Sequence, residues 1–209
     1  MNEQEYYTES DEDFNPFLNS LLNPRETIRY VYNNRITDFK IPLLYFFGLD
    51  YVLSAGSRNS YNLDLIIVII MLVMAPISGS ILLYLNGFLY SLFGSIFGGE
   101  ADSEDMRSAI LWSKVPKLFL LPVSIFLYVI GANNMSFLMS NFIMAILSIL
   151  LFIFLTVITI WCFVNLVRMV SEIQEFSSGK AFLSIIIPGL ILVLIAILFV
   201  FIFASLLRF

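Results

Sequence analysis

The chain has 209 residues, 59% of them hydrophobic and 13% charged, with a formal net charge of −5, one cysteine and no histidine. A soluble domain carries about 25% charged residues, so most of this surface does not face water and a water-soluble fold is excluded. An intrachain disulfide and a cysteine–histidine metal site are excluded by the same counts.

The first 13 residues hold Glu3, Glu5, Glu9, Asp11, Glu12 and Asp13 and no base. Residues 14–209 carry 11 bases against 10 acids, so the acidity belongs to the tail. Residues 1–13 read as a disordered acidic segment. They lack the basic start and apolar centre of a signal peptide, which leaves membrane insertion to the spans themselves.

Residues 14–40 read as a cytoplasmic amphipathic region. Phe14, Phe17, Leu18, Leu21 and Leu22 follow the spacing of one helix face. "NPRET" (23–27) reads as a second helix start, with Asn23 as cap, Pro24 at the first position and Glu26 three residues after the cap. Ile28, Val31, Tyr32, Ile36 and Phe39 continue an apolar stripe, while Arg25, Arg29 and Asn33 face away.

Residues 41–209 read as the membrane domain. A span needs about 20 mostly apolar residues. Uncharged runs cover 65–99, 118–167 and 181–207, and the second is long enough for two passes with "GANNMS" (131–136) as the turn. The stretch 41–57 is shorter and contains Asp50. Lys and Arg collect in cytoplasmic loops, so charge bias arbitrates. If 41–57 crosses, nine bases fall on one side and only Arg58 and Arg208 on the other; if it does not, the count is six against five. The bias favours five spans, at about 41–57, 65–95, 115–131, 141–167 and 182–206. The expected fold is an all-α, polytopic five-helix bundle with short cytoplasmic amphipathic helices, N-terminus in and C-terminus out.

The charged stretch between the second and third spans then lies in the cytoplasm. Ser103 is the expected N-cap, with Glu104 and Asp105 in a first turn that favours acids. Met106, Ala109, Ile110 and Ser113 share one face, with Arg107 mostly off it. Trp112 suits headgroup depth, Lys114 and Lys117 suit phosphates, and Pro116 ends the element. This reads as a helix lying on the membrane surface.

Pro76, Pro122 and Pro188 each interrupt a span and favour a kink whose freed carbonyl faces protein. Gly87, Ser91, Ser95 and Gly99 recur every four residues, and Gly94 and Gly98 form a GxxxG pair. Such spacing serves close helix packing, within one chain or in a homo-oligomer. "AILWSKVP" (109–116) and "AFLSIIIP" (181–188) share Ala-x-Leu-x4-Pro, a pattern expected of an internal repeat or of chance.

Several of these segments, in this order, carry a resemblance. "NPRET" before the first span, "GG" then "MRSAILWSKVP" between the second and third, and Trp161 followed by "VRMVSEIQEFSSGKAFLSIIIP" to Pro188 resemble the Yip family of Rab-interacting integral membrane proteins, in its bacterial form. The resemblance implies a five-helix bundle with a cytoplasmic N-terminus. For eukaryotic members it implies a role with Rab GTPases. This chain lacks the Asp-Leu-Tyr-Gly-Pro signature before the second span, and "ILWSKVP" replaces Tyr-Gly-Tyr-Ser before proline, which weighs against a Rab partner. The resemblance points to the bacterial cytoplasmic (inner) membrane.

No nucleophile–base pair, carboxylate dyad, phosphate loop or metal cluster stands out, so the chain reads as a non-enzyme without cofactor or metal. No basic cluster suits nucleic acid. Cys162 reads as an inert buried thiol. Asp50 is the one charge well inside an expected span, and an intramembrane carboxyl is a functional candidate by default. Its structural alternative is a carboxyl packed against Asn86 or Asn165. Arg168 can snorkel to the surface. Two functions compete. One is a membrane scaffold or adaptor in the bilayer, recruiting a protein partner through its cytoplasmic face. The other is a small-solute or ion transporter using Asp50.

Overall fold

Asn15 and Asn23 each stand before a proline, and each opens a helix in the computed structural model, which describes residues 14–37, 39–58, 65–123 and 142–206. Proline suits the first helical position because its missing N–H would be unpaired there anyway. Helix α1 is Pro16–Leu22, and the Asn15 side chain accepts from the backbone N–H of Phe17 at 3.0 Å and Leu18 at 3.3 Å. Helix α2 is Pro24–Asn33. Asn23 caps it by position only, and the Thr27 hydroxyl donates to the Asn23 carbonyl at 3.0 Å.

The longer elements follow as α3 (Lys40–Arg58), α4 (Leu65–Ile96), α5 (Ser103–Ser113), α6 (Val115–Leu118), α7 (Phe142–Ile173) and α8 (Ser178–Leu206). Among the described residues there is no strand. Three stretches, Ile66–Ile96, Ile149–Ile173 and Ser178–Ser205, are long and apolar enough to cross a membrane. The expected turn at 131–136, the acidic tail, Arg208 and the second half of the expected third span lie outside the described residues. Pro76 and Pro188 sit inside continuous helices, and Pro188 is fully buried.

Helix α5 corrects the sequence reading. Its cap is Asp102, one residue earlier than the expected Ser103, because Asp102 has extended backbone and its carboxylate accepts from the N–H of Glu104 at 2.7 Å and Asp105 at 2.9 Å. Asp105 returns the bond by accepting from the Asp102 N–H at 3.3 Å, closing a capping box. Met106, Ala109, Ile110 and Ser113, the face read from the spacing, are buried, but so are Leu111 and Trp112. The helix is therefore walled on several sides by α4, α7, α3 and α2. It is the hub of the fold. Trp112 is 2% exposed and its ring meets Phe17 and Phe39, with centroids 5.2 and 6.1 Å away, so it does not present an open face.

The packed core, with Ile28, Leu43, Leu83, Met106, Trp112, Met169 and Ile185, occupies one end of the bundle. Away from it the helices part. No described residue of α7 from Phe142 to Trp161, nor of α8 from Gly189 on, is buried. An exception is the α3–α4 pair, whose backbones touch through Gly48 and Gly79. A Cβ on Gly48 would lie 1.7 Å from the Ala75 carbonyl oxygen. Small residues permit that approach, at a pair outside the GxxxG run singled out from sequence.

Gly98 is a different case. Its φ of +88° and the bonds Gly99 N–H to Gly94 O and Gly98 N–H to Ser95 O, both 3.0 Å, form a Schellman end to α4. A side chain there would meet nothing within 4 Å, so Gly98 serves the turn and not helix packing. Arg35 and Glu175, at φ 48° and 52°, close α2 and α7 with the same bond pattern. The two Ala-x-Leu-x4-Pro segments also differ. The first crosses the α5–α6 break at Lys114, and the second lies within α8.

Candidate functional site

One stripe of α7 organises the packed end. The indole N–H of Trp161 donates to the Leu21 carbonyl at 3.1 Å, and the Asn165 amide donates to the Ser20 carbonyl at 3.0 Å. Both acceptors belong to the last turn of α1, whose carbonyls have no acceptor role left inside the helix. Asn165 is buried and needs such a partner. Two turns further, Glu172 accepts from Arg29, at 2.9 Å from Nε and through a second, shorter bond from Nη2. Arg25 lies 4.0 Å from the same carboxylate and donates to the Ser178 hydroxyl at 2.9 Å. So α1 and α2 are tied to α7 and to the start of α8.

Gln174 joins the remaining pieces. Its side-chain oxygen accepts from the Ala101 N–H at 3.3 Å, and its nitrogen lies 3.7 Å from the Met106 sulfur. The amide fits only because two glycines face it. A Cβ on Gly94 would lie 2.2 Å from Nε2, and one on Gly99 would lie 1.8 Å from Oε1. Gly87 is likewise pressed on α5, where a Cβ would be 2.6 Å from Arg107 Cγ. Arg107 itself stacks over the Tyr84 ring at 4.3 Å.

The three polar residues expected inside the membrane are not brought together. Asp50 pairs with Lys117, Oδ2 to Nζ at 2.9 Å, and not with Asn86 or Asn165. Asn86 donates back to Leu82 of its own helix at 2.8 Å. Lys114 is half-buried in the turn between α5 and α6, where its carbonyl accepts from the Lys117 backbone N–H at 2.9 Å. Among the described residues it makes no ion pair. Burial first, then the Lys117 cation, hold its ammonium below the usual lysine range. Pro116 is buried beside it in α6.

Three clefts surround the polar face of α2. One of about 580 Å³ runs between α2 and the start of α5, lined by Tyr32, Arg35, Lys40, Asp102 and Glu104 among others. A second of about 580 Å³ holds Arg25, Arg29, Tyr32, Glu172 and Phe176. A third of about 460 Å³ holds Pro24, Arg25, Glu26, Arg168 and Ser178. In the first, the Lys40 ammonium bonds Glu104 at 2.9 Å and holds that carboxyl below its usual range. The Asp105 backbone N–H lowers Asp102, while burial and then Asp102 raise Asp105. Among the described residues no group of three His, Cys, Asp or Glu could hold a metal.

Sequence reasoning missed Glu172, Gln174, the Gly48–Gly79 contact and the Lys117–Asp50 pair. A signal for Glu172 existed, since it falls four residues after Arg168 and continues the Trp161–Asn165 stripe. Nothing local marks Gln174, because its partners lie some seventy residues earlier in the chain.

No curated protein and no solved structure matches the chain. The model of the Yip1 domain family matches residues 18–201. That match takes in both ends of the latch, Leu21 with Trp161 and Arg29 with Glu172, and the whole Gln174 seat. The chain belongs to the Yip1 domain family.

Proposed function

We propose that this membrane protein is a five-span, non-catalytic scaffold of a bacterial cytoplasmic membrane, and that its packed end faces the cytoplasm and recruits a protein partner. The observation that carries this reading is the polar face of α2. Arg25, Glu26, Arg29, Tyr32 and Asn33 are exposed and flanked by clefts, on an element fixed in place by Glu172. A rigid, charged ledge on an otherwise apolar molecule suits recognition, since interface charges steer encounter and set specificity. The nine-to-two bias of bases supports the orientation.

Topology tests the frame. Cysteines placed at Thr8, Ser177 and Leu207 in a Cys162→Ala background are expected to leave only Leu207→Cys open to an impermeant maleimide outside intact cells. Labelling of the other two from outside overturns the orientation. For the role, Arg25→Glu with Arg29→Glu should abolish partner capture from lipid-retaining extracts. Proton or solute flux in liposomes, lost in Asp50→Asn, would instead establish the transporter.

A further inference from the structure

Helix α7 carries no charge from Phe142 to Val167, and Arg168 is the first. Val157, Trp161, Val164 and Arg168 follow the i, i+4, i+7, i+11 spacing of one helix face, and all four are exposed. An apolar strip therefore runs up to a single guanidinium. A cation after such a run stands where hydrocarbon gives way to headgroups, because a charge at mid-bilayer is costly. The strip is bordered by α1. The Trp161 indole N–H bonds the Leu21 carbonyl at 3.1 Å, and the next residue, Leu22, is 74% exposed.

Arg168 lines the cleft of about 460 Å³ together with Leu22, Pro24, Arg25, Glu26 and Ser178. Arg25 is held there, its Nη2 donating to Ser178 Oγ at 2.9 Å and its Nε 4.0 Å from Glu172, which also accepts from Arg29. Among the described residues Arg168 makes no hydrogen bond or ion pair. Two arginines against the carboxylate of Glu26 leave the lining of the cleft one cation in excess. The Ser178 hydroxyl accepts from Arg25 and keeps its own proton to donate. Guanidinium groups grip phosphate oxygens through paired N–H donors. A phosphate that continues into an apolar chain satisfies both the cleft and the strip that leads to it. We infer that the cleft between Arg168, Arg25 and Ser178 binds the phosphate of an anionic phospholipid, whose acyl chain lies along Trp161, Val164 and Leu22. A lipid of single negative charge neutralises the excess cation, and a zwitterionic one does not.

Full-length protein in detergent and in nanodiscs tests this. By native mass spectrometry, phosphatidylglycerol should bind several-fold more tightly than phosphatidylcholine, and Arg168→Gln should lose most of that preference. Arg168→Lys keeps a charge without the paired donors and should lose part of it, a milder variant should the first not fold. Lys180→Gln removes an exposed cation of the same end that does not line the cleft, and should keep the preference. A preference unchanged in the Arg168 variants, or lost equally in Lys180→Gln, overturns the proposal. The acyl chain has its own readout. With Trp112→Phe, Trp161 should be quenched more by chain-brominated phosphatidylglycerol than by equally brominated phosphatidylcholine, and adding Arg168→Gln should remove the difference. Equal quenching by the two lipids before Arg168 is changed overturns the proposal. Inorganic phosphate that displaces phosphatidylglycerol completely would show a free-anion site and overturn the lipid assignment. Arg168 stands outside the α2 ledge, so partner capture is scored separately. Capture lost in Arg168→Gln, with no lipid preference in wild type, would give the cleft to the protein partner and overturn the proposal.

Discussion

The side-chain oxygen of Gln174 occupies the space that a Cβ on Gly99 would need, at 1.8 Å. That single fit joins the end of α4, the start of α5 and the end of α7, because the same oxygen accepts from the Ala101 N–H. The "GG" and "SEIQEF" segments are thus two halves of one joint.

Gly99→Ala is expected to cost about 1–3 kcal/mol, the range of overpacking in a well-packed site. Gln174→Ala should remove the clash, so the double variant should lose less than the sum of the singles, with a coupling of roughly 0.5–3 kcal/mol. Gly98→Ala serves as contrast. Its penalty, about 1–2 kcal/mol, is backbone strain at positive φ, and Gln174→Ala should not relieve it. Thermal unfolding in detergent measures the three single and two double variants. Strict additivity of Gly99→Ala and Gln174→Ala would show that the joint is not closely packed.

The Asp102 cap should make stability acid-sensitive. Its folded pKa lies below its unfolded value, chiefly because the Asp105 N–H bonds the ionised carboxylate. The stabilisation is therefore complete above the unfolded pKa and is lost as pH falls through the folded one. Glu104 has the same sign through Lys40, and Asp105 the opposite. Asp102→Asn keeps a capping oxygen and should flatten the acid limb of a Tm–pH curve. Asp102→Ala should cost about 0.5–2 kcal/mol at neutral pH. An unchanged acid limb in Asp102→Asn would refute the assignment.

Trp112 should be invisible to lipid. With Trp161→Phe in place, Trp112 emission is expected to be blue-shifted and poorly quenched by brominated lipids at any depth, because the ring is closed in by Phe17 and Phe39. Phe17→Ala should open it and raise quenching. Strong quenching in the single variant would mean that α5 lies on the membrane surface after all.

Asp50→Asn in neutral lipid should destabilise the protein, since it leaves the Lys117 cation without its carboxylate. The pair is partly exposed, so the expected loss lies between the roughly 1 kcal/mol of a surface pair and the 3–5 kcal/mol of a buried one. Adding Lys117→Met should restore most of it. A stability that holds or rises in the single variant would show that the pair contributes nothing.

Local pattern was enough for the helices. The described parts of the uncharged runs, the Asn-Pro starts of α1 and α2 and the apolar spacing of Met106, Ala109 and Ile110 each depend on neighbours within a turn or two, and these appear mainly as helix or buried face. So was the family, because its segments are spread in order along the chain. What surrounds a helix is not local. The spacing of α5 described an amphipathic surface helix, and only the arrival of α4 and α7, with Phe17 against Trp112, made its second face part of the core. Charge obeys the same division. The sequence supplied Asp50, Lys117, Arg29 and Glu172, but their pairing spans 67 and 143 residues, and only folding sets which carboxylate a cation reaches. Burial raises the penalty for leaving either charge alone, so the tertiary structure decides the partner and the sequence only lists the candidates.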